Sequence, residues 1–346
     1  MSAAVTSSRT SRARSARRTK PRFAMYWASS CGGCDIAVLN IHEMLLDVDR
    51  HFDVVFWPAA MDTKVDDVRA MPDSSIDLCL FSGGIRTDEN AEMAHLLRAK
   101  SKVLVAFGSC AGEGCIPGLA NLGTVDELFD VVYEGPGADN PDHAVPLPRW
   151  QVPDAAAGDG VLRLPAFRPL LTTLAQTVKV DYYVPGCPPE SARVRDVLGL
   201  VIAALDGQAT LPPAGSVIGA GTSTCCDECP RDRNEKKITR FVRITDLAEI
   251  DPRLCLLEQG LPCNGPATRS GCGALCPAAG APCIGCYGPA DGVVDYGARL
   301  MSAFASVVDA TNPDEIERIL DGIPDPVGQF YRFSLATSLL RRGRTP

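Results

Sequence analysis

Twelve of the fifteen cysteines in this 346-residue chain fall into three sets of four, each with the spacing of iron–sulfur ligands. One set is spread along the N-terminal half: Cys31 and Cys34 in CGGC, Cys110 in AFGSCAG, and Cys187 in VPGCPP. A second comprises Cys226 and Cys229 in CDEC, followed by Cys255 and Cys263. The third, Cys272, Cys276, Cys283 and Cys286, lies inside SGCGALCPAAGAPCIGCYGP. One cluster makes a redox site. Three in one chain make an electron wire, with a catalyst at one end and an acceptor at the other.

The rest of the chain is ordinary in composition, with 46% apolar and 22% charged residues. Its length suits two domains. No run of eighteen apolar residues occurs, so no transmembrane span is expected. The first 22 residues hold six arginines and one lysine, and no acid precedes Asp35. With a formal charge of −8 overall, the body behind that tail carries −15, which argues against nucleic-acid binding and suits docking to proteins by charge. Arg17-Arg18 resembles a twin-arginine signal, but no apolar stretch follows the pair. Residues 1–22 therefore read as a disordered basic extension of a cytoplasmic protein. In that compartment fifteen cysteines point to metal rather than disulfides.

Behind the tail, apolar runs alternate with helical stretches. Phe23–Ala28, Val54–Pro58, Leu78–Phe81, Val103–Phe107 and Tyr182–Val184 read as buried strands. Cys34–Val48, Lys64–Met71, Asn90–Lys100 and Ser191–Leu205 read as helices. The pattern predicts an α/β domain over 23–206: a flavodoxin-like, doubly wound parallel sheet. Residues 134–160 read as a long surface excursion, and the Gly/Pro-rich stretch 207–221 as a linker. Residues 207–346 then form an irregular iron–sulfur domain, cysteine-rich over 225–290 and helical again from 296. In the cysteine-rich part, clusters are expected to replace a conventional core.

Cys31, Cys34, Cys110 and Cys187 each follow directly on a predicted strand. In an open parallel sheet the carboxyl ends of strands converge on one crevice, so four thiols at three strand ends can meet there. Glycines 32, 33, 108 and 186 let backbone N–H groups approach sulfide. A lone CxxC also suits a thioredoxin-type pair or half a zinc site, but neither explains Cys110 and Cys187. No GxGxxG or GxxxxGK[ST] phosphate loop is present. Asp35 reads as a helix cap. Of the adjacent pair, Cys226 is taken as the ligand because it completes CxxC with Cys229. Cys79 reads as a small buried hydrophobe and Cys115 as a non-ligand. Zinc is the rival for the C-terminal cysteines, and the four histidines stand away from them.

Taken in order, CGGC, GSCAGEGCIPGLAN, VPGCPP, DECPR, CLLEQGLPCNGPATRSGCGALC and CIGCYGP resemble the small subunit of [NiFe] hydrogenases. The likeness is greatest to the soluble, viologen-reducing type associated with heterodisulfide reductase-like partners, and covers about residues 23–330. It implies a flavodoxin-like domain without flavin, whose proximal cluster (Cys31, Cys34, Cys110, Cys187) lies beside the nickel–iron centre of a partner large subunit. It implies a medial cluster on Cys272, Cys276, Cys283 and Cys286, and a distal cluster on Cys226, Cys229, Cys255 and Cys263. Membrane-linked relatives have a histidine where Cys226 stands and lack the thiol of Cys276, so three [4Fe–4S] clusters are implied here. A further iron–sulfur or flavin acceptor subunit is the implied partner at the far end. Gly112-Glu113-Gly114-Cys115 departs from the family pattern. A complex I-like subunit with one cluster, and a one-cluster module with structural zinc, are the alternatives; neither needs three cluster-type cysteine sets.

Overall fold

The computed structural model describes residues 20–145, 149–151, 161–235 and 237–340. Residues 1–19 of the basic tail, and most of the excursion after 145, lie outside them. The central sheet has six parallel strands in the order β10-β9-β5-β3-β1-β2. These are β1 (Arg22–Trp27), β2 (Asp53–Phe56), β3 (Ile76–Ser82), β5 (Ser101–Phe107), β9 (Tyr182–Val184) and β10 (Ser216–Val217). Without β10 this is the doubly wound order expected from the sequence. β10 is an addition: part of the expected linker pairs with Tyr182 and Tyr183.

Alternation along the strands builds two cores. Phe23, Met25, Leu78, Leu80, Val105 and Phe107 pack on one face against α1 (Gly33–Leu39), α2 (Met44–His51) and α7 (Ser191–Leu205). Ala24, Tyr26, Cys79, Phe81, Leu104 and Ala106 pack on the other against α3 (Val65–Ala70) and α4 (Asp88–Lys100). Cys79 is fully buried there, a small hydrophobe among hydrophobes. Thr87 caps α4, its hydroxyl accepting from the N–H of Asn90 at 3.2 Å.

Three local expectations change. The single helix over 34–48 is two helices, broken at residues 40–43, where His42 takes a positive φ of 56° that no helix continues. An antiparallel pair absent from the sequence reading, β4 (Ile85–Thr87) with β8 (Phe167–Thr172), flanks the main sheet. β6 (Arg149–Gln151), within the excursion, and β7 (Val161–Arg163), just after it, form a second antiparallel pair.

The C-terminal region does own an apolar core, contrary to expectation. Phe241, Leu256 and Leu261 close against Leu300 and Phe304 of α10 (Tyr296–Ala305) and Phe330 of α12 (Pro326–Tyr331), with Ile319 of α11 (Pro313–Leu320) beneath. Phe304 stacks on Phe241 at 5.4 Å and meets Phe330 edge-on at 5.1 Å. Cys225, Cys263 and Cys283 are part of this core, and Cys229, Cys255 and Cys272 pack against it.

Candidate metal centres

The first thiol set gathers at the carboxyl edge of the sheet. Cys31 and Cys34 follow β1, Cys110 opens α5 (Ser109–Glu113) directly after β5, and Cys187 follows β9. Burial raises the pKa of Cys34, and the nearby thiols of Cys110, Cys187 and Cys31 add to the rise. Gly108 shows why the loop reads as it does. Its φ is +83°, and a Cβ there would lie 2.4 Å from the Cys34 sulfur. Only glycine lets β5 turn so close to that thiol.

Cys115 is nearer than the sequence implies. Its sulfur lies 3.5 Å from that of Cys187, and Cys110 together with Cys187 raises its pKa, so it is a fifth thiol beside the four. Its S–H lowers the pKa of Cys187. Asp35 corrects another expectation. Gly32 occupies the N-cap of α1, while the buried Asp35 carboxylate accepts from the indole N–H of Trp57 at 2.8 Å. Its second oxygen has no partner, and burial raises its pKa.

Cys226 and Cys229 lie in and just after the short helix α8 (Cys225–Glu228), facing Cys255 and Cys263 around a small cavity. A Cβ on Gly265 would stand 3.2 Å from the Cys226 sulfur and 3.7 Å from that of Cys263. The third set lines a cavity of about 450 Å³ with Leu275 of α9 (Leu275–Ala278) at its side. Cys272, Cys276, Cys283 and Cys286 all border it, and so does the buried Cys225, whose thiol pKa is raised by Cys272 and Cys283. Two adjacent cysteines thus face two different thiol sets. The CxxC rule singles out Cys226; nothing in the spacing speaks of Cys225.

The sets are joined through the main chain. The Cys187 backbone favours the ionised form of the Cys286 thiol, and the N–H of Cys283 donates to the sulfur of Cys263 at 3.3 Å. The hydroxyl of Thr268, which donates to the carbonyl of Asn264 at 2.6 Å, lies 3.6 Å from the Cys283 sulfur. Backbone N–H groups of Ala274 and Leu275 serve Cys272, and that of Gly285 serves Cys283.

This chemistry fits iron–sulfur clusters. Burial pushes the Cys226, Cys263 and Cys286 thiols up to about 12, so they ionise only against a cation, while the N–H donors are what bridging and ligand sulfurs require. Among the described residues no three His, Cys, Asp or Glu side chains converge tightly enough for one metal ion. Thiols around a single zinc ion would stand roughly 3.8 Å apart by tetrahedral geometry.

The family described as NADH ubiquinone oxidoreductase, 20 Kd subunit, matches residues 31–201. The iron-sulfur subunit of the F420-non-reducing hydrogenase of Archaeoglobus profundus is 38% identical over 327 residues, covering 93% of this chain and 98% of that protein. An F420-non-reducing hydrogenase subunit from Methanothermobacter marburgensis is 36% identical, covering 93% and 96%. A chain of the oxidized recombinant [NiFeSe] hydrogenase of Desulfovibrio vulgaris Hildenborough superposes with a TM-score of 0.51 over 80% of this chain and 96% of its own. At 16% identity that likeness concerns the fold.

Proposed function

The chain belongs to the family of iron–sulfur subunits of F420-non-reducing hydrogenases, and from that premise we propose that it is the three-cluster electron relay of a cytoplasmic [NiFe] hydrogenase. It is an electron-transfer small subunit, an oxidoreductase as part of a hydrogenase complex. Among the described residues no helix is long and apolar enough to cross a membrane.

Cys31, Cys34, Cys110 and Cys187 hold the proximal [4Fe–4S] cluster, within residues 23–206. Cys272, Cys276, Cys283 and Cys286 hold the medial one and Cys226, Cys229, Cys255 and Cys263 the distal one, within 207–346. The clusters supply one-electron redox chemistry between the nickel–iron centre of a partner large subunit and an external iron–sulfur or flavin acceptor. The protein's own residues fix ligand positions, donate N–H···S bonds and exclude water, the levers that set potential. The observation that carries the reading is the contact between consecutive thiol sets: Ser109, beside Cys110, donates to the Cys286 carbonyl at 2.5 Å, and the Cys283 N–H donates to the Cys263 sulfur at 3.3 Å. Bonds of that kind supply short paths between groups that must exchange electrons.

Anaerobic purification with the co-purifying large subunit, followed by iron, sulfide, nickel and zinc analysis, tests it. About twelve cluster irons per chain with stoichiometric nickel are expected. About four irons with bound zinc and no nickel would overturn it.

A further inference from the structure

The stretch Arg231–Arg243 holds six arginines and lysines against two acids, a net of +4 in a chain whose total is −8. Its backbone is held in place. Asp232 exchanges bonds with the Arg253–Cys255 stretch, its N–H donating to Arg253 at 2.7 Å and its carbonyl accepting from Cys255 at 2.8 Å. The Glu258 carboxylate accepts from the N–H groups of Asn234 and Glu235. Ile238 is buried, and its N–H donates to Val307 at 2.8 Å.

The basic side chains are treated differently. Arg231 turns inward, where its guanidinium donates to the carbonyls of Pro277, Asp251 and Leu254. Arg233, Arg240 and Arg243 remain exposed and, among the described residues, have no carboxylate within ion-pairing distance; Arg299 on α10 is the same. Exposed arginines left unpaired beside so many acids are available to a charge from outside.

Two of them, Arg233 and Arg299, border an opening. A cavity of about 300 Å³ is lined by Cys226 and Cys255 and by both Arg233 and Arg299. Glu258 also borders it but is engaged by the loop it tethers. Nearby Asp227 and Glu228 are likewise engaged, with Thr224 and with the N–H groups of Gly271 and Gly273. The approach to these two thiols therefore passes between unpaired guanidinium groups on an otherwise acidic protein.

We propose that this basic rim is the docking surface for an acidic one-electron carrier protein, which seats its redox group over Cys226 and Cys255. The proposal rests on the reading of these two residues as distal cluster ligands. Charge complementarity of this type steers encounter and fixes orientation, and weakens with salt.

The test uses the purified hydrogenase complex under dihydrogen with two probes, an acidic two-cluster ferredoxin and dicationic methyl viologen. In the double variant Arg233→Glu/Arg299→Glu, kcat/KM for ferredoxin falls at least tenfold at low ionic strength. The wild-type decline of that rate with added salt flattens or reverses. Viologen reduction is unchanged or faster, because the repelling charge is gone. Ferredoxin reduction unaffected by charge reversal overturns the proposal. Should both probes slow together, Arg240→Glu/Arg243→Glu, which lies off the cavity wall, decides: a selective loss with ferredoxin sustains the docking surface and none overturns it. A wild-type complex with fewer than three clusters would instead sink the relay reading itself.

Discussion

The hydroxyl of Ser109 donates to the backbone carbonyl of Cys286 at 2.5 Å, joining residues 177 positions apart. The same oxygen accepts from the N–H of Gly186 at 3.1 Å. One buried side chain thus sits beside Cys110, beside Cys187 and against Cys286. It couples the sheet edge to the C-terminal loops. Ser109→Ala strands a carbonyl and an N–H, a loss of about 1–3 kcal/mol. Denaturant titration under nitrogen checks the stability, and a stability equal to wild type would show that the contact is incidental.

Gly108→Ala asks the chain for a positive φ and for a Cβ 2.4 Å from the Cys34 sulfur. The expected outcome is loss of one cluster, about four irons per chain. Iron and sulfide analysis reads this directly. Full iron content would mean that β5 can retreat from Cys34.

Cys187→Ser removes a thiol of the first set and leaves its backbone N–H in place. Dihydrogen-dependent dye reduction should disappear while the electron paramagnetic resonance of the two C-terminal clusters persists. Undiminished activity would show that Cys187 is not a ligand.

Cys225 and Cys226 separate by substitution. Cys226→Ala should lose about four irons, whereas Cys225→Ala should keep the iron and shift the signal of the cluster at Cys272 and Cys283, its two contacts. The reverse pattern would exchange their roles.

Much of this is legible in the sequence. Cys31, Cys110 and Cys187 read correctly as residues that follow strands, because β-branched and aromatic runs bounded by glycine are strong local signals. Cys225 is not legible, since neighbours in one helical turn point in directions that spacing alone does not report. β10 is hidden because two residues of strand inside a Gly/Pro stretch leave no periodicity. The C-terminal core is hidden for a different reason: Phe241, Leu256 and Leu261 are scattered in sequence and meet α10 only after the cysteine loops fold. The break between α1 and α2 falls in a stretch whose composition still looks helical.

Glu113 gives a pH test. Its carboxyl, partly buried and accepting from the Thr337 hydroxyl at 2.9 Å, is pushed up to about 7 by burial, against the opposing effects of Thr337 and Arg269. Arg269 is ion-paired with Asp291, and the facing Tyr183 and Tyr296 have raised pKa values and stay neutral here. The folded chain keeps a proton that the unfolded chain loses near about 4.3, so stability falls as pH rises from there towards 7. Glu113→Gln should match wild type at pH 4 and melt higher at pH 8. Parallel melting curves at both pH values would rule the effect out.

The influence of the Cys187 backbone on Cys286 and the bond from Cys283 to Cys263 carry a lesson for anyone adjusting this protein. Each receiving sulfur is polarised by main chain that belongs to the neighbouring thiol set. With clusters on these sets, as proposed, a change in one ligand loop moves the reduction potential next door as well as its own. Potentials along such a path cannot be tuned one at a time; an engineer who wants a different driving force must redesign two adjacent loops together.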